Sequence, residues 1–171
     1  MKYSAIGSFG AAFAATAIIL AAGTSNAAWR RASANGCHEY SVDQLGLYTD
    51  VLSGSSLQNV TSRTARVNCD VEDADTYRKQ DLTAVNIHGY DASDTASVTA
   101  TLCVAFWSSE GGACGTSASS GNPNIGNYTL QPSRAVWNAT HAGDFGYISL
   151  NVPARDPQTG DSTFRGYFTG T

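Results

Sequence analysis

"VTATLCVAFWSSEGGAC", Val98–Cys114, decides the fold. Val98, Ala100, Leu102, Val104 and Phe106 share one parity, and successive side chains of a strand point to opposite faces, so this is a strand with one buried side. Cys103 falls on the other parity. The turn residues Ser108, Ser109, Glu110, Gly111 and Gly112 follow, and Cys114 stands on the return of a hairpin.

The same period of two recurs outward from this stretch. Strands are expected at about 45–52, 57–61, 64–71, 82–90, 96–107, 127–131, 145–152 and 163–169, and no convincing helix is expected past Ala28. The clearest are "LTAVNIHGY" (Leu82–Tyr90), with Val85 and Ile87 on one face, and "GYISLNV" (Gly146–Val152), with Ile148, Leu150 and Val152 on one face. Polar turns separate them: "DASDT" (Asp91–Thr95), "GTSASSGNPN" (Gly115–Asn124) and "ARDPQTGD" (Ala154–Asp161). The second is low in complexity and long enough to be mobile. Short alternating strands between turns predict an all-β fold, an antiparallel β-sandwich of jelly-roll or Ig-like type.

The first residues predict export. Lys2 precedes an Ala-rich apolar run of about Gly10–Ala22, and Ser25 and Ala27 occupy the −3 and −1 positions of a cleavage site. The run is short of the ~20 residues that a spanning helix needs. Residues 1–27 therefore read as a signal peptide of bacterial style, and residues 28–171 as one secreted or periplasmic domain without membrane insertion. The formal net charge is −4 and Lys79 is the only lysine beyond the signal. Such a balance repels a phosphate backbone, so nucleic acid is not an expected partner.

Cys37, Cys69, Cys103 and Cys114 all lie in the exported part and predict a disulfide framework. Four cysteines permit three pairings. Strand geometry favours Cys103 with Cys114 across the hairpin, which leaves Cys37 for Cys69, on the inward parity of Val67 and Val71. No CxxC spacing supports a metal site on cysteine.

"RVNCDV" (Arg66–Val71), "AVNIHGYDASDTASVTATLC" (Ala84–Cys103), "GYISLNVP" (Gly146–Pro153) and "FRGYF" (Phe164–Phe168) together resemble a group of small secreted bacterial β-sandwich proteins. The resemblance covers most of the exported part and implies the fold; it carries no activity. Members often have Pro where Asp70 stands here, and many have a cysteine in place of Asn151.

Candidate sites are few. His38, His88 and His141 stand in no nucleophile frame, and Glu39, Glu72 and Glu110 are a thin supply for a carboxylate pair. "DVEDAD" gathers Asp70, Glu72, Asp73 and Asp75, hard oxygen ligands suited to calcium, with "DPQTGD" (Asp156–Asp161) a thinner second cluster. Charged strand ends that discourage edge pairing are the favoured explanation of such acids, which are common in secreted β domains. Tyr90, Trp107 and Tyr147 fall on the parity opposite the core residues of their strands and, with Trp137 in "RAVWNATH" joining from a neighbouring loop, are the candidates for an aromatic binding face. Packing beneath loops or as cross-strand pairs is the favoured reading, since aromatics suit any sheet. Asn59, Asn127 and Asn138 head N-x-Thr tripeptides, coincidental under a signal of bacterial style and markers of surface positions only in a eukaryotic host. A non-catalytic role without a cofactor, in binding a glycan or cell-surface ligand or in structural self-assembly, is expected; the alternative is a small secreted hydrolase.

Overall fold

Period-two segments become strands in the computed structural model of the chain, which describes residues 29–40, 48–50, 56–71, 78–121 and 125–171. In chain order they are β1 (Trp29–Ser33), β2 (Cys37–Glu39), β3 (Tyr48–Asp50), β4 (Leu57–Asn59), β5 (Ala65–Asp70), β6 (Ala84–Asp91), β7 (Thr99–Ala105), β8 (Gly112–Cys114), β9 (Ala118–Ser119), β10 (Gly126–Leu130), β11 (Phe145–Val152) and β12 (Thr163–Gly170). One short helix, α1 (Ala135–Ala139), and a 3-10 turn at Lys79–Asp81 correct the expectation of an all-strand chain. The expected signal peptide and the acids Glu72, Asp73 and Asp75 lie outside the described residues.

Two antiparallel sheets form a sandwich. The first has the order β10-β6-β12-β4-β3, with β1 also paired to β12; the second runs β2-β5-β11-β7-β8, with β9 also on β7. β1 lies against β12 with Trp29 opposite Gly170 and Ser33 opposite Gly166. The Gly115–Asn124 segment is partly structured, because Ala118 and Ser119 add to β7 opposite Ala100 and Thr99.

Alternation places the core where the sequence puts it. Val85, Ile87, Leu130 and Phe164 face inward from the first sheet, and Val67, Cys69, Leu102, Val104, Ile148 and Leu150 from the second. Each fully buried aliphatic side chain contributes roughly 1.5–3 kcal/mol, so the core as a whole outweighs any covalent staple. Both disulfides lie in the second sheet and join residues directly opposite in the ladder, Cys37 to Cys69 and Cys103 to Cys114. Closing loops of 32 and 11 residues stabilises by about 4 and about 3 kcal/mol respectively through unfolded-chain entropy.

Each end of the sandwich is closed differently. At one end the buried Asp91 carboxylate accepts from the Ser93 and Val98 backbone N–H groups at 3.0 and 3.1 Å, and from the hydroxyls of Ser162 (3.1 Å) and Ser120. Segments of both sheets meet there. At the other end Trp137 and Leu82 fill the gap between the sheets. No helix among the described residues is long and apolar enough to cross a membrane.

Candidate functional site

The four candidate aromatics do not share one face. Trp137 is wholly buried, its indole N–H donating to the Cys103 carbonyl at 2.8 Å. Gly146 is inward on β11, and a side chain there would come within 3.4 Å of the Trp137 ring. The helix turns the indole into the sandwich, and the ring is a core residue. Tyr90 lies on β6 and therefore on the outside of the first sheet, whereas Trp107 and Tyr147 belong to the second. The sandwich separates them by its whole thickness.

Trp107 and Tyr147 stay together, and a residue not expected joins them. On β11 the outward positions are Phe145, Tyr147, Ser149 and Asn151, and Phe145 stands opposite Ala105 of β7. Trp107, two residues past Ala105, continues the outward parity. Its ring lies over Gly143, where an added Cβ would come within 3.2 Å of Trp107 Cδ1. Trp107 is 60% exposed and Phe145 64% exposed. Tyr147, half-buried, stands opposite Cys103 at the disulfide. The parity it shares with Tyr147 was the sequence signal that could have found Phe145.

A short loop holds this strip in place. Asp144 accepts from the Trp107 backbone N–H at 3.3 Å with one oxygen and from the His141 backbone N–H at 3.0 Å with the other. The buried Lys79 donates its ammonium to the carbonyls of His141 (2.7 Å) and Ala142 (3.4 Å). The His141 ring sits 6.4 Å from the Trp107 ring, centroid to centroid. Phe106, Trp107, Ser108, Ser109, His141 and Asp144 line an open depression of about 530 Å3.

A serine, a histidine and an aspartate thus share one depression, but not as a triad. A triad carboxylate accepts from the imidazole Nδ1–H and leaves Nε2 as the base. Here His141 Nδ1 accepts from the Gly143 N–H at 3.0 Å, and both Asp144 oxygens are taken by backbone donors. The neutral ring then carries its proton on Nε2 and offers a donor. The arrangement suits holding a hydroxyl.

The other candidates resolve separately. His38 is exposed on β2. His88 accepts from or donates to Thr129 Oγ1 at 3.0 Å, lies 4.8 Å from the Phe168 ring, and is held below the usual imidazole range by burial. Asp70 is exposed, and no group of three or more His, Cys, Asp or Glu is placed to hold a metal among the described residues. In "DPQTGD", Asp156 accepts from the Gln158 and Thr159 backbone N–H groups at 2.7 and 3.1 Å, which pull its carboxyl below the ordinary range. Asp161 pairs with Arg155 at 3.2 Å. These acids shape a turn. Asn59, which heads one of the N-x-Thr tripeptides, is wholly buried and donates to the Arg63, Val152 and Pro153 carbonyls.

No protein-family model matches the chain, and no curated protein does. Among solved structures, the chain is similar to the low-affinity xylan-binding module CBM86 from Roseburia intestinalis. That match has 12% identity and a TM-score of 0.45, over 84% of this chain and 95% of that one. It is also similar to a family 29 carbohydrate-binding module, a K74A mutant complexed with cellulohexaose, at 11% identity and a TM-score of 0.43, over 85% and 92% of the two chains. A third is TmCBM61 in complex with β-1,4-galactotriose, at 8% identity and a TM-score of 0.34, over 84% and 87%.

Proposed function

We propose that the protein is an exported, non-catalytic glycan-binding protein whose site is the strip Trp107, Phe145 and Tyr147 with His141 at its rim. The observation that carries this reading is the pair of large aromatics, each more than half exposed, on one face, Phe145 on β11 and Trp107 just past the end of the adjoining β7. An aromatic ring offers a flat apolar surface at little cost in conformational freedom, and the C–H face of a pyranose stacks on it. The ladder and the Asp144 and Lys79 anchors fix the rings in advance, which lowers the cost of binding. His141, Ser108 and Ser109 supply polar groups for sugar hydroxyls, while Asp144 is already engaged. A neutral polysaccharide fits this chemistry. Export is proposed with it: both disulfides belong to an oxidising compartment, and cleavage after Ala27 would leave Ala28 as the first residue.

The test is titration of xylan, glucomannan and β-1,4-galactan against the wild type and Trp107→Ala, with melting curves for both. One of these polymers is expected to bind, and Trp107→Ala to weaken it about tenfold or more. An exposed ring should change stability by only about 0.5 kcal/mol. Failure of all three polymers to bind, or a steep fall in melting temperature with binding intact, would overturn the assignment.

A further inference from the structure

We infer that the outer face of the first sheet is a second, separate site, taking an anionic polysaccharide. Its outward positions form a regular lattice across β10, β6, β12 and β1. One row runs Gln131, Asn86, Phe168, Arg31; the next Thr129, His88, Gly166, Ser33; the third Asn127, Tyr90, Thr163. A bulge between Phe164 and Gly166, where Gly166 takes a φ of 142°, releases Arg165 from the ladder. Its guanidinium reaches across β6 to donate to Asn127 Oδ1 at 3.0 Å.

The charge on this face is one-sided. Among the described outward positions of these four strands there is no Asp or Glu, although the whole chain carries −4. Arg31 lies over the Phe168 ring at 5.0 Å, and Phe168 packs against His88 at 4.8 Å. Neither Arg31 nor Arg165 has a carboxylate partner among the described residues, and both are exposed. A guanidinium fork matches a carboxylate or sulfate with two parallel hydrogen bonds, which an ammonium cannot reproduce.

The spacing selects a polymer. From the Arg31 guanidinium, which lies over Phe168 of β12, to the Asn127-held guanidinium beside β10 is two strand spacings, about 10 Å, and about 13 Å along the strands. The diagonal is about 16 Å by those figures, longer than one sugar. Phe168, His88 and Tyr90 lie along it, and the amides of Asn86, Gln131 and Asn127 flank it. Rings between two cations, with amides alongside, suit a chain of acidic sugars.

The experiment titrates the full chain with polygalacturonate, with the same polymer fully methyl-esterified, and with double-stranded DNA of equal charge, at low and high salt. The wild type should bind polygalacturonate at least about tenfold more tightly than the ester, and the gap should close in 1 M salt as exposed charges are screened. Arg31→Ala/Arg165→Ala should lose that preference, whereas Trp107→Ala should keep it. Lysine at both positions should recover only part, because the fork is lost. Equal binding of the ester, equal binding of DNA, unchanged binding by the double alanine variant, or no binding of polygalacturonate would each overturn the inference. The Trp107 arm makes failure here separable from failure of the neutral-glycan reading.

Discussion

Trp107 and Trp137 carry the same side chain to opposite ends of exposure, and local backbone is what separates them. Trp107 continues the outward parity of β7 and rests on Gly143; Trp137 sits in a single helical turn that aims it between the sheets. Replacing Trp137 by Ala should cost about 3–5 kcal/mol through lost burial and a cavity. Trp137→Phe keeps most of the ring but deprives the Cys103 carbonyl of its indole donor, for about 1–3 kcal/mol. Urea unfolding measures both, and a neutral Trp137→Phe would show that the indole hydrogen bond is idle. At this scale the sequence was readable wherever a residue sat in a long strand. Cys103, Cys69, Ile148 and Tyr147 face the way their parity says. Trp137 was not readable, because a helix of five residues has no periodicity to show.

Lys79–Asp81 and the loop from Thr140 to Phe145 act as one element. The Lys79 ammonium fastens two carbonyls of that loop, and its methylenes pack against Gly146. Lys79→Met retains the packing stem and removes the donor. The expected result is faster amide hydrogen exchange at Gly143 and Asp144, glycan binding weakened several-fold, and a loss of stability of about 1–3 kcal/mol. Unchanged exchange in the loop would show that Asp144 alone anchors it. The long strands were legible: the expected segment 145–152 is β11, and 82–90 overlaps β6 closely. β8 was legible as the hairpin return that carries Cys114; β1, β2 and β9 were not. They have five residues or fewer, and the neighbouring ladder defines them more than any pattern of their own.

Across the whole molecule the two sheets are tied by buried polar groups as well as by apolar packing. Asp91 gathers donors from 71 residues away, which is why "DASDT" reads as an ordinary turn in the sequence. Tyr167 of the first sheet donates to the Asp70 carbonyl of the second at 2.6 Å. Within the first sheet, the buried Tyr128 donates to the Thr163 carbonyl at 2.9 Å. Burial, and then the Asp91 carboxylate, push its phenol far above the ordinary value of 10.0. In the unfolded chain the phenol ionises near pH ~10 while the folded phenol stays protonated. Its contribution is therefore intact below about pH 10 and is lost as pH rises from there through the folded value. Tyr128→Phe cannot ionise, so its urea midpoint should fall less than that of the wild type between about pH 9 and 11. Parallel declines would show that Tyr128 does not govern the alkaline limit.

The rung that sets Trp29 opposite Gly170 also fixes how the molecule responds to force. A load applied through these two residues opens the β1–β12 ladder one rung at a time, like a zipper, rather than shearing all its hydrogen bonds together. On the amino-terminal side the peel stops at Cys37, because the bond to Cys69 carries the tension past the intervening chain. Single-molecule pulling should therefore show early yielding at low force and a shortened final extension. Reduction should release the 32- and 11-residue loops, adding roughly 150 Å of contour length at ~3.5 Å per residue. The thiol links would then act as a stop on how far the protein can be drawn out while it remains oxidised.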